Sequence, residues 1–237
     1  MKRSQIIKDL ASSQCDLYTS LKRTKVLLQL IADEKILDWV NSELKGYSDE
    51  DTLPEYRLLK GDFFGSYTIG TFGRALKYSN VPIPLGKMPV DIRNDFLSAG
   101  VRQGIPTLEQ MLKNDKVNFS KPIPADFYHV IESQYMDNPF FNIVSGNVII
   151  NKMDVMNIIP EVENKLLDIL LLLENEFGNL DELDIDLGSK SEDELEKIYH
   201  NLYVIVYNNK SVNVGDNNKL KDVEIASTIL DANLSKT

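Results

Sequence analysis

Glu43 is the residue whose setting most demands a chemical explanation. Projected at 100° per residue, Ile36, Trp39 and Val40 share one apolar helical stripe, and Glu43 falls among them. An unpaired carboxylate buried there would cost several kcal/mol, so it must meet a cation, meet backbone N–H groups, or open onto a cleft. Arg57 is the candidate partner. The pair then serves either as a structural ion pair or as a working acid in catalysis or ligand binding.

The other groups that could do chemistry are sparse. His129 and His200 lie in separate segments, without the His-x-x-x-His or His-Glu-x-x-His spacing that would bring two imidazoles to one metal. Triads assemble from distant positions, so spacing alone does not exclude one, but no Gly-x-Ser-x-Gly elbow occurs. Cys15 sits on a helical pattern, where a lone cysteine reads as a small core residue. Acidic residues are abundant, yet no spacing singles out a Mg²⁺ cluster. Gly61, Gly65, Gly70 and Gly73 form neither a Gly-x-Gly-x-x-Gly run nor a Gly-Lys-Ser/Thr sequence and read as hairpin turns. The expectation is no metal and no cofactor, with the chemistry leaning away from an enzyme.

With 36 Asp and Glu against 26 Lys and Arg, the formal net charge is −10, which argues against nucleic acid or an anionic membrane as partner. Lys22, Arg23 and Lys25 form the densest basic cluster; on a helical pattern they read as a solvated face, although a local basic patch stays open. One cysteine allows no intramolecular disulfide and suits a reducing cytosol. Lys8 and Asp9 interrupt any apolar core of a signal peptide, and the Ile and Leu run at 169–173 is far shorter than the roughly 20 residues of a membrane span. A cytoplasmic chain without a membrane span is expected.

Elements able to position Glu43 follow from periodicity. Leu17, Leu21, Leu28 and Ile31 mark an N-terminal helix after a cap at Ser4, and Asp33 is placed to cap the next helix, which Gly46 ends. Residues 56–85 read as two or three short strands. Pro82, Pro84 and Pro89 then impose an extended connection. One helix is expected over 91–104, another from a capping box at Thr107 and Gln110, and a third over 124–131. The leucine-rich stretch 161–177 is apolar around most of its cylinder; it is either the central core helix or half covered by a second chain.

Gly178 ends that helix, and the acidic run from Asp181 to Glu196 reads as solvated surface, with Ser191 and Glu194 spaced to cap a short exposed helix. Residues 202–207 are rich in β-formers, and Asn208-Asn209-Lys210 recurs as Asn217-Asn218-Lys219, each followed by an apolar alternation, Val212 and Val214, then Val223 and Ile225. Such short strands bury too little to stand alone. Either neighbouring copies supply the missing surface, making these four residues an oligomerisation seam, or the segment packs on its own domain or remains a tail. The fold class expected is α+β, a mainly helical domain with a small antiparallel β segment over 1–180. An acidic linker or short helix follows over 181–200, then an Asn-rich β repeat over 201–237.

Trp39-Val40-Asn41-Ser42-Glu43-Leu44-Lys45-Gly46-Tyr47, followed by Leu53-Pro54-Glu55-Tyr56-Arg57, resembles the Trp-Val/Ile-x-x-Glu-Leu-x-Gly-Tyr and Leu-Pro-x-Tyr-Arg pattern of the AbiTii family. The likeness extends over residues 4–178. It implies abortive infection, in which an infected cell stops growing or dies before phage matures, but no reaction. Trp39 and Tyr47 would anchor the helix, Gly46 would end it, and Glu43 would hold Arg57, with Pro54 and Tyr56 completing the motif. Two functions compete, and a third, a membrane-perturbing effector driven by the leucine-rich helix, is weakened by the charges of that helix at Glu163, Lys165, Asp168 and Glu174. One is an oligomeric interaction or sensor module that binds a phage protein or a companion defence protein. The alternative is a toxic effector enzyme, such as an RNase or other nucleic-acid hydrolase, working from an acidic cleft near Glu43.

Overall fold

Two apolar cores organise the chain, described here by a computed structural model over residues 3–12, 14–31, 34–71, 73–115 and 117–207. The larger is helical. Helices α1 (Gln5–Ala11), α2 (Leu17–Ile31), α3 (Glu34–Lys45), α5 (Ile105–Lys113, after α4 at Val90–Leu97), α7 (Lys152–Met156), α8 (Ile158–Phe177, after α6 at Asp126–Tyr135) and α9 (Glu192–Tyr207) share it. The leucine-rich α8 is its axis. Val162, Leu166, Ile169, Leu170 and Leu173 are fully buried against neighbours that include α1, α2, α7 and α9. The chain therefore covers this helix itself, as the central-core alternative required.

The smaller core lies under an antiparallel sheet of order β3 (Leu76–Pro82), β2 (Asp62–Ile69), β6 (Phe141–Ile150), β5 (Phe119–Pro122). Phe63, Phe141, Ile143 and Val148 fill it from the sheet and Ile131 from α6. A separate two-stranded sheet pairs β1 (Leu58–Lys60) with β4 (Ser98–Gly100). The β2–β6 ladder is broken by a bulge: Ser66 faces Ser145 and Tyr67 faces Ile143, leaving Val144 extra. Helix α6 satisfies the backbone this exposes. Glu132 accepts from the Ile143 N–H at 2.5 Å, and the Tyr128 hydroxyl, one turn earlier, accepts from the Gly146 N–H at 2.8 Å.

The α+β class is as expected, but several local expectations give way. Helix α4 stops at Leu97, because residues 98–100 pair as β4 with β1 instead of continuing toward Gly104. Helix α5 begins at Ile105, two residues before the Thr107 box, with Gly104 at its N-cap and Pro106 in its first turn. Helix α6 starts at Asp126 and runs past 131 to Tyr135. Gly70 and Gly73 do make the β2–β3 turn, at φ 127° and 82°. Gly61 and Gly65 instead mark close backbone approach: a Cβ at Gly65 would lie 1.9 Å from the Ser145 carbonyl oxygen.

Residues 202–207 are helical, although Tyr, Val and Ile dominate them. Ile198, Leu202, Ile205 and Val206 recur at three and four, and burying that stripe on α8 outweighs β-propensity. Helix α9 is thus a long core helix, not a short exposed one, and nothing separates residues 201–207 from the domain. Its start does use the expected capping box: Ser191 N donates to Glu194 Oε2 at 2.9 Å, and Glu194 N to Ser191 Oγ at 3.4 Å. Its end is met by Lys165, buried on α8, whose Nζ donates to the Ile205 carbonyl at 2.9 Å. Burial holds the Lys165 ammonium below the usual lysine range, against the opposing pull of Glu161 and Asp168. Asp33 and the repeat residues Val212, Val214, Val223 and Ile225 lie outside the described residues.

Ser4 precedes α1 but caps nothing with its side chain; its Oγ instead accepts from the Leu180 N–H at 2.9 Å. The Ser4 N–H donates to Glu174 Oε1 at 2.5 Å, and Arg3 pairs with Oε2 of the same carboxylate. Burial works to raise the Glu174 pKa, but the bonds from Ser4 and then Arg3 outweigh it and leave the group below its usual range. A carboxyl lowered in the fold contributes stability that is complete above its unfolded value and lost as pH falls through the folded one. Urea midpoints measured against pH should therefore fall below about pH 4.5 in the wild type, and Glu174→Gln should start lower and show a shallower acid limb.

Candidate functional site

Helix α3 carries Glu43 one turn beyond Trp39, on the face turned into the helical core. The helix ends at Gly46, whose φ of 104° suits glycine and whose N–H closes on the Ser42 carbonyl at 2.7 Å. A Cβ at that position would lie 2.9 Å from the Arg102 carbonyl oxygen. This reversal places Tyr47 back beside Glu43. Pro54 sets the next piece: its fixed φ opens a single helical turn, Glu55–Arg57, and its carbonyl accepts from the Arg57 N–H at 2.9 Å. That turn aims Tyr56 and Arg57 at the same carboxylate.

Glu43 and Arg57 have side chains with 0% exposure, and they pair bidentately. Arg57 Nε donates to Glu43 Oε1 at 3.0 Å and Nη2 to Oε2. The Tyr47 and Tyr56 hydroxyls each donate to Oε1 at 2.6 Å. Tyr56 accepts in turn from Trp39 Nε1 at 2.8 Å. The remaining guanidinium nitrogen, Nη1, donates to the Val101 carbonyl at 2.9 Å and the Gln103 carbonyl at 2.8 Å. The Tyr47 ring lies 4.9 Å from the guanidinium carbon. All seven expected motif residues, Trp39, Glu43, Gly46, Tyr47, Pro54, Tyr56 and Arg57, thus belong to one assembly, with Pro54 and Gly46 shaping the backbone.

Electrostatics fix the protonation states. Burial works against the charge on Arg57, but hydrogen bonding and attraction from Glu43 outweigh it and raise its pKa. Burial first and the Glu43 charge second push both phenols, Tyr47 and Tyr56, far above the usual tyrosine range. The tyrosines are permanent donors. The carboxylate receives four hydrogen bonds and presents no face to solvent.

The carbonyls of Val101 and Gln103 carried no signal in the sequence, because any backbone can accept and the partner lies 44 and 46 residues away. Lys165 was equally hidden; its Nζ lies 5.7 Å from the Tyr56 ring centroid, extending the assembly toward α8 and α9. His129 lines a surface cleft of about 690 Å³ with Glu132 and Ser133. There Ser133 donates to the His129 carbonyl at 2.7 Å and Glu132 is engaged by the bulge, so the two acceptor and donor groups are committed to backbone. Among the described residues, no cluster of three or more His, Cys, Asp or Glu is arranged to hold a metal ion. No described helix is long and apolar enough to cross a membrane.

Removing one member of a buried pair strands the other charge, so Glu43→Gln and Arg57→Met should each cost about 3–5 kcal/mol in urea unfolding. The double variant should lose clearly less than the sum. Tyr56→Phe, which leaves Trp39 Nε1 without its acceptor, should cost about 1–3 kcal/mol. Near-zero changes in these variants would refute the structural role.

No curated protein and no solved structure matches the chain. A family model, AbiTii, matches residues 4–199, which spans α1 through the middle of α9 and contains the whole Glu43–Arg57 assembly. The chain belongs to the AbiTii family.

Proposed function

We propose that this abortive-infection protein acts in phage defence as a cytoplasmic, oligomeric interaction or sensor module, binding a phage protein or a companion defence protein. The observation that carries this reading is the closed state of Glu43. The effector-enzyme alternative worked from an acidic cleft at that residue, whereas four donors and complete burial commit its carboxylate to the fold. The residues that define the family likeness then serve to set the relative positions of α3, α5 and the β1–β4 sheet.

Assembly is assigned to residues 208–237, through Val212, Val214, Val223 and Ile225. Its test has to spare α9, whose apolar stripe belongs to the core; a cut at Gly188 would remove that helix and unfold the protein. A stop after Tyr207 keeps every described element. Light scattering should give the full chain a mass that is a multiple of 26.9 kDa, and the shortened chain the mass of a single copy. Protection against phage should fall with it while the melting temperature holds within a few degrees. An unchanged mass would overturn assembly through the tail, and full protection by the shortened chain would overturn its part in defence.

A further inference from the structure

Beside α2 lies a groove of about 480 Å³ with an apolar floor and a basic rim. Tyr18 and Val26, at 41% and 45% exposure, and Leu44 from α3 supply the floor. Lys22, Lys25 and Lys45 supply the rim. Lys22 stands 4.9 Å from the centroid of the Tyr18 ring. Among the described residues, Lys25 and Lys45 have no acidic partner within ion-pair distance, while the nearby Arg23 is engaged by Asp9 at 3.1 Å. Four basic side chains thus surround an apolar surface on a chain whose net charge is −10. A long polyanion would be repelled by the rest of that field, whereas a short segment carrying a few acids and several aliphatic side chains would not.

We propose that this groove receives residues 222–231 of this same sequence, Asp-Val-Glu-Ile-Ala-Ser-Thr-Ile-Leu-Asp. Charge selects that segment. It holds three acids, Asp222, Glu224 and Asp231, and four large aliphatic residues, with no base. The preceding stretch, 208–221, carries Lys210, Lys219 and Lys221 against Asp216 alone and would be repelled by the rim. Chain length permits the contact. The Tyr207 hydroxyl donates to the Lys35 carbonyl at 3.0 Å, so the last described residue sits beside the first turn of α3. Lys45 lies at the other end of that helix, about 15 Å away at 1.5 Å per residue. Residues 208–221, fully extended, reach up to about 46 Å. The groove therefore lies within range of the tail of its own chain and open to the tail of a neighbour. The inference rests on the tail-assembly reading and deepens it, since Val223 and Ile225, assigned there to assembly, gain in this groove the surface they bury against.

Hydrogen exchange and carbodiimide cross-linking on the full chain test it. Amides of residues 222–231 should exchange at least tenfold more slowly in the wild type than in a Lys25→Glu, Lys45→Glu variant. Adding Asp222→Lys and Glu224→Lys to that variant should restore the slow exchange. Cross-links should join Lys22, Lys25 or Lys45 to Asp222, Glu224 or Asp231. Unprotected amides in the wild type, protection indifferent to the charge reversal, or links confined to Asp181, Glu182 and Asp184 beside Leu183 would overturn the proposal. Mixing isotopically light and heavy chains separates it from tail-driven assembly. Mixed-mass links support docking between copies. Same-mass links alone support docking within a chain and remain compatible with a light-scattering result that rejects assembly.

Discussion

A carboxylate and a guanidinium withdrawn from water persist only when nearly every lone pair and N–H they carry is matched, since desolvation otherwise exceeds their attraction. Glu43 and Arg57 meet this condition by recruiting groups from three parts of the chain. The two tyrosines come from just beyond α3 and from the turn after Pro54, and the two carbonyls from the segment between β4 and α5. Satisfying the pair therefore fixes the α3 end, the start of the β1–β4 sheet and the entry to α5 together. A shift in any one would leave a buried donor or acceptor bare, at about 1–3 kcal/mol for a neutral group and more for a charged one.

The rest of the architecture hangs from that junction. The described chain passes from the helical core into the sheet through β1, and β1 is held by β4, whose following residues supply the carbonyls that Arg57 uses. The backbone Val101 N–H returns to the Arg57 carbonyl at 2.9 Å, so the residue is bound through both its main chain and its side chain. Strands β5 and β6 tie the other side, because Phe119 and Ile150 at their ends belong to the helical core while Phe141, Ile143 and Val148 belong to the core beneath the sheet.

Local chemistry was readable from the sequence where one element contained the whole signal. Glu43 between Trp39 and Val40 on a helical stripe, Gly46 at a helix end, and Ser191 with Glu194 each name their own geometry. Residues 202–207 misled because type and spacing disagreed: the side chains favour strands, but their positions continue the three-and-four spacing begun at Ile198, and packing on α8 decided. The end of α4 at Leu97 depends on a partner strand about forty residues earlier, which no local window contains. Strand β6 was overlooked, although Phe141, Ile143, Val148 and Ile150 point inward; the bulge at Val144 interrupts the alternation that would have announced it.

The clasp at Ser4 bears on the order in which this molecule assembles. Its bonds to Glu174 and Leu180 join backbone segments separated by 170 and 176 residues, and the bond from Tyr207 to Lys35 spans 172. Contacts of such separation carry the largest loop-closure entropy and form after local helices have already condensed. Helices α2 and α3, adjacent in sequence and packed on each other, can associate early, whereas α1 docks on α8 only once α8 exists. In unfolding the same asymmetry runs backward. Interactions made after the transition state govern how slowly the native state opens, so a clasp that closes last would act on the lifetime of the fold more than on its shape.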